Sequence, residues 1–143
     1  MSIATTLTKL QTFNLASSGI ASAPAVLPAQ LADYVLPCAL TFVGPAGWNE
    51  HAIGLKRQAR MFYIRVYVKP VSQGISLNEG YQACVPILEA LGNTYLEDPT
   101  LGNTIDHIGT RGEFRDGGIG VLEYAGVPYH GFQLDIEVVD KTT

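Results

Sequence analysis

The sequence predicts an α+β fold, a single domain in which a mainly antiparallel sheet of about five strands packs with two helices. Three observations carry this. The chain has 143 residues, the size of one domain and too short for a second independent core. Residues 2–15 and 78–92 keep a helical period, whereas Arg60–Lys69 and Tyr129–Val139 alternate with period two. Hydrophobic residues make up 47%, and a chain of this size buries about 68–70% of its unfolded surface, enough for a core without disulfide staples.

In order, residues 2–15 open with Ser2 as N-cap and place Ile3, Leu7 and Leu10 on one face. Ser17 to Pro28 is Ala, Ser, Gly and Pro with only Ile20, Val26 and Leu27 to bury, so it reads as a surface linker. Residues 1–36 are thus a helix and an extended arm, and 37–140 hold the core sheet and second helix. Cys38 to Val43 is a short strand, followed by a loop from Gly44 to Asn49. Arg60 to Lys69 is the clearest strand: Phe62, Ile64, Val66 and Val68 face the core, and Met61, Tyr63, Arg65, Tyr67 and Lys69 face away.

Pro70 and the turn Ser72-Gln73-Gly74 lead into the second helix, with Asn78 as N-cap, apolar positions from Tyr81 to Leu91, and Gly92-Asn93 as its end. Pro86 removes an internal hydrogen bond, which predicts a kink or a later helix start. The remainder reads as a three-stranded meander: Thr104–Gly109, Ile119–Tyr124 and, after the turn Ala125-Gly126, Tyr129–Val139. In the last strand His130, Phe132, Leu134, Ile136 and Val138 face the core, and its acidic outer face suits a position beside Arg65 and Lys69.

Nine Lys and Arg against thirteen Asp and Glu give a net charge of −4, the wrong sign for a protein that grips a phosphate backbone. No signal-peptide pattern and no run of 18 apolar residues occurs, so a soluble protein made in a cytoplasm is expected, with no membrane partner. Charged residues are only 15% against about 25% in ordinary domains, which suggests a surface covered by a partner. Cys38 and Cys84 stand outside any CxxC or Cys/His cluster and are expected to be buried free thiols.

Chemistry-bearing patterns are sparse. His51, His107 and His130 lack ligand spacing, so no metal or cofactor is expected. Gly117-Gly118-Ile119-Gly120 precedes a strand and reads as a turn rather than a phosphate cradle. Glu97-Asp98 precedes Pro99 and reads as a solvated acidic loop, so no catalytic residue and no enzyme are expected. The segment from Trp48 to Arg60 differs: it carries the only Trp together with Lys56, Arg57 and Arg60, side chains that suit an interface anchor.

Leu36-Pro37-Cys38-Ala39-Leu40, Gly44-Pro45-Ala46-Gly47-Trp48, the strand Arg60 to Val68 and the closing Leu122 to Phe132 together resemble small neck and tail proteins of long-tailed bacteriophages. Length and element order are most similar to the tail terminators among these head–tail joining proteins. The resemblance spans about residues 30–140 and has no catalytic pattern to transfer. It implies a structural virion protein: a homohexameric ring that caps the tail tube, ends its polymerisation and joins it to the head-side connector. The implied partners are other copies of the chain, the tail tube protein, the connector or stopper protein, and genomic DNA passing through the lumen without specific binding. The place is the virion tail or neck, with assembly in the host cytoplasm. A head–tail connector, a stopper or another tail-completion protein is the alternative within the virion, and a ligand-binding or enzymatic α+β domain the alternative outside it.

Overall fold

The described residues of the computed structural model are 3–24, 27–31, 35–52, 55–71, 77–97, 107–108 and 114–142, with the backbone alone for 47–52, 55–58, 77, 107–108, 114 and 140–142. Their elements are α1 (Ile3–Ala16), β1 (Cys38–Ala52), β2 (Leu55–Pro70), α2 (Leu77–Glu97), β3 (His107–Ile108), β4 (Phe114–Tyr124) and β5 (Val127–Thr142). This is the α+β domain the sequence predicts, an antiparallel sheet with two helices. Ser2, the turn at Ser72-Gln73-Gly74, Asp98 and the segment Thr104–Asp106 lie outside the described residues.

The sheet runs β1-β2-β5, and both β3 and β4 pair with the far side of β5. Ile108 stands opposite Val138 and Phe114 opposite Ile136, two rows apart on one strand. The expected meander is therefore corrected: β3 and β4 are collinear pieces of one column, and five strands make a sheet four columns wide. The long β5 pairs β2 over one edge and this interrupted column over the other. Ala125 (φ 52°) and Gly126 (φ 82°) close the β4–β5 hairpin, both left-handed as a two-residue type I′ turn requires.

Three further expectations give way to tertiary context. Gly44 to Asn49 is not a loop; β1 continues to Ala52, and its register with β2 slips between Val43 and Ala46 and again between Glu50 and Ala52. Pro45, which lacks an N–H, falls in the first bulge, where no ladder bond is required of it. Gly117-Gly118 is a bulge inside β4 rather than a turn between strands, with Gly118 at φ 81° and its N–H donating to Asp116 Oδ1 at 2.9 Å. Gly92-Asn93 does not end α2, because Leu91 and Tyr95 extend the buried face to the next turn. Pro86 lies well inside α2, and both it and Gln82, whose carbonyl loses its donor, are exposed.

One sheet face carries the main core. Phe62, Ile64, Val66 and Val68 from β2 join Phe132, Leu134, Ile136 and Val138 from β5, beneath Leu10, Cys84, Ile87, Leu91 and Tyr95 of the helices. The alternation of both strands is as the sequence predicts. The opposite face is not simply polar: Tyr67, expected to face away from the core, is fully buried with Leu31, Cys38, Leu40 and Tyr129. Its cover is the arm. Ala21 and Ser22 donate to Pro37 O at 2.8 and 3.3 Å, Ala39 N donates to Ser22 O at 3.0 Å, and Ser22 Oγ donates to Val35 O at 2.6 Å. Ile20 thus sits in one core cluster and Leu31 in the other, so the arm passes around the edge of β1 and is a structural element rather than a surface linker.

Candidate functional site

The register gathers all four sequence-predicted interface residues on the β1–β2 hairpin. Trp48 stands opposite Gln58, Asn49 opposite Arg57, Glu50 opposite Lys56 and Ala46 opposite Arg60. The side chains of Trp48, Lys56 and Arg57 lie outside the described residues. Arg60 is half-buried and donates from Nη1 to Gly44 O at 3.0 Å. Its guanidinium satisfies a carbonyl left free by the bulge, so this arginine has a structural contact of its own.

β2 and β5 are neighbours, as their charges suggest, but the partners differ from those expected. Arg65 Nε donates to Gln133 Oε1 at 2.8 Å, and its guanidinium carbon lies 5.2 Å from the Phe42 ring centroid. Gln133 Nε2 donates to Asp135 Oδ1 at 2.8 Å, and Arg115 of β4 stands 3.7 Å from Asp135 Oδ2. This polar line crosses all four columns on the face away from the helices. Beside it Tyr67 packs edge-on against Tyr124 and Tyr129, with centroids 5.4 and 5.6 Å away. The outer two hold the arm: Tyr124 Oη donates to Pro28 O, and Tyr129 Oη donates to Leu31 O at 3.4 Å.

The titratable groups are arranged for packing. Burial pushes the Cys84 thiol up to about 11 and raises that of Cys38 against a smaller opposing hydrogen bond with Ser22. Both are free and buried, as predicted, and a raised thiol is a poor nucleophile near neutrality. Burial also raises the Tyr95 phenol, whose hydroxyl lies 2.5 Å from Asn14 Oδ1 and 3.3 Å from Leu10 O. His130 is 3% exposed on the core face, beneath Gly80. Among the described residues no three His, Cys, Asp or Glu side chains come together as a metal site.

Among the described residues, two unlike surfaces lie at opposite edges of the sheet. On the β1 side lies α1, tied down where Asn14 Nδ2 donates to Thr41 Oγ1 at 3.3 Å. On the other side α2 and β4 diverge over a trough of about 370 Å³ lined by Leu88, Gly92, Leu96, Leu134, Arg115 and Asp116, with Glu89 at its rim. Leu96 is 66% exposed, the most exposed large apolar side chain described. The 3.6 period of α2 gives no warning of this trough, because the helix is apolar on a wide arc and only the packing decides which part β4 leaves uncovered.

Compared with known proteins, the chain matches no family model, and no curated protein matches its sequence. Among the described residues, no helix is long and apolar enough to cross a membrane.

Proposed function

We propose that the chain is a tail terminator of a long-tailed bacteriophage, a structural subunit of a homohexameric ring that caps the tail tube. The observation that carries this reading is the pair of unlike surfaces on opposite edges of the sheet. A closed cyclic ring is built from heterologous contacts, so each subunit needs two different patches, one given and one received. The sheet suits such repetition. With four antiparallel columns, β1 and β4 run in opposite directions at the two edges, so a copy set beside the first keeps the alternation of strands. The resemblance of Leu36–Leu40, Gly44–Trp48, Arg60–Val68 and Leu122–Phe132 to neck and tail proteins supplies the biological setting.

In that setting the ring ends polymerisation by occupying the growing end of the tube and presents its other side to the head-side connector. The net charge of −4 suits a lumen through which DNA slides, since few counterions are displaced from the duplex. The work is assembly rather than catalysis, in keeping with thiols and a histidine committed to packing. The test is electron microscopy of tails assembled with and without this gene product. The expected outcome is uniform tails with a sixfold terminal ring only when the protein is present. Capped tails of normal length in its absence overturn the reading, and the protein found on the portal side makes it a connector or stopper.

A further inference from the structure

We infer that α1 of one copy seats in the α2–β4 trough of the next, an interface that rests on the ring reading and names its contact surfaces. The receiving surface is apolar at its floor, where Leu88 and Leu134 meet, and open at Gly92, where an added Cβ would meet nothing within 4 Å. Below it along β4, Val121 is 53% exposed. Leu96 and Val121 thus leave apolar surface along this edge that contact with a second copy covers.

The occupant is identified by the outer face of α1. A helix that faces water carries charges on its outer side, yet the exposed positions of α1 are Ala4, Thr5, Thr8, Thr12, Leu15 and Ala16. Thr8 Oγ1 donates to Ala4 O and Thr12 Oγ1 to Thr8 O, each at 3.0 Å, so these two hydroxyls are turned back onto their own helix. What α1 shows outward is a row of methyl groups, and Leu15 is 55% exposed. Its 14 residues span about 21 Å, and the trough follows residues 88–96 of α2, about 13 Å of that helix, so it takes about two turns of α1.

Charge agrees with this pairing. Lys9 is the single charged residue of α1, and the trough offers Glu89 and Asp116, while its one cation, Arg115, is engaged with Asp135. Position agrees as well. α1 overlies β1 at one edge of the sheet and the trough adjoins β4 at the other, so each contact leaves a free α1 at one end and a free trough at the other. Repetition then proceeds head to tail, as a cyclic ring requires.

The test uses two variants of the full chain, Gly92→Leu, which fills the trough, and Thr8→Lys, which charges the outer face of α1. Both sites are open, so each variant is expected to keep the wild-type circular dichroism spectrum and melting transition. By native mass spectrometry the wild type forms a closed oligomer and each variant alone is monomeric. Mixed in equal amounts they form a heterodimer and nothing larger, because the intact α1 of the Gly92→Leu chain meets the intact trough of the Thr8→Lys chain. Variants that assemble like the wild type overturn the interface while leaving the ring reading in place. A wild-type chain that forms no closed oligomer either alone or on tail tubes overturns both. Variants that keep the ring but lose attachment to tail tubes assign the trough to the tube protein and overturn its occupation by a second copy.

Discussion

Gly80 of α2 lies directly over the imidazole of His130 on β5, so close that a Cβ at Gly80 would stand 2.4 Å from His130 Cγ. The helix is held against the sheet by the absence of a side chain at this one position. Gly80→Ala is expected to destabilise the fold by about 1–3 kcal/mol, overpacking outweighing a gain of about 1 kcal/mol in helix propensity. In a His130→Ala background the same change should cost much less. Urea denaturation of the four chains of this cycle measures the coupling, and equal costs in both backgrounds would show that the contact is not the cause.

Tyr95 joins the two helices through its hydroxyl contacts with Asn14 Oδ1 and Leu10 O, and its ring stacks on Phe13 with centroids 5.9 Å apart. Tyr95→Phe keeps the ring and leaves the buried Asn14 oxygen without this donor. A loss of about 1–3 kcal/mol is expected, the cost of an unsatisfied buried polar atom. Chemical denaturation checks it, with hydrogen exchange of the α1 amides as the local readout.

Ala125 occupies a left-handed position with a Cβ that disfavours it, at φ 52°. Asn-Gly is the preferred dipeptide of a type I′ turn, so Ala125→Asn should stabilise the protein by about 0.5–1 kcal/mol, part of the cost that the left-handed region imposes on alanine. A melting temperature that falls on this substitution would contradict the turn geometry.

The Cys84 thiol has its ordinary value of 9.0 when the chain is unfolded and about 11 when folded. Between these values the folded state holds a proton that the unfolded state has released, so stability falls as pH rises. The unfolding free energy should be level in this respect below pH 9 and decline from pH 9 to 11. Cys84→Ala should lessen the decline, with the Cys38 thiol, also raised by burial, accounting for part of what remains and the buried Tyr67 and Tyr95 phenols for the upper end. Thermal melts between pH 7 and 11 give the slope.

The faces of β2 and β5 were legible in the sequence because burial on one side imposes a period of two, and Phe62 to Val68 and His130 to Val138 obey it. The Ala125-Gly126 turn was legible as well, since few dipeptides close a hairpin. The candidate site was legible only as composition. Trp48, Lys56, Arg57 and Arg60 do share one hairpin, yet Arg60 is bonded to a bulge carbonyl that no spacing rule announces.

By itself, then, the sequence determined the α+β class, the order of its two helices and principal strands, and which residues of each long strand point to the main core. Only the tertiary structure decided that β3 and β4 share a column, that the arm rounds β1 to bury Tyr67, that α2 runs past Gly92, and that a trough opens beside β4. The physical reason is that periodicity records which side chains share a face of their own element. What covers that face depends on contacts between residues far apart in the chain, as where Tyr124 holds Pro28.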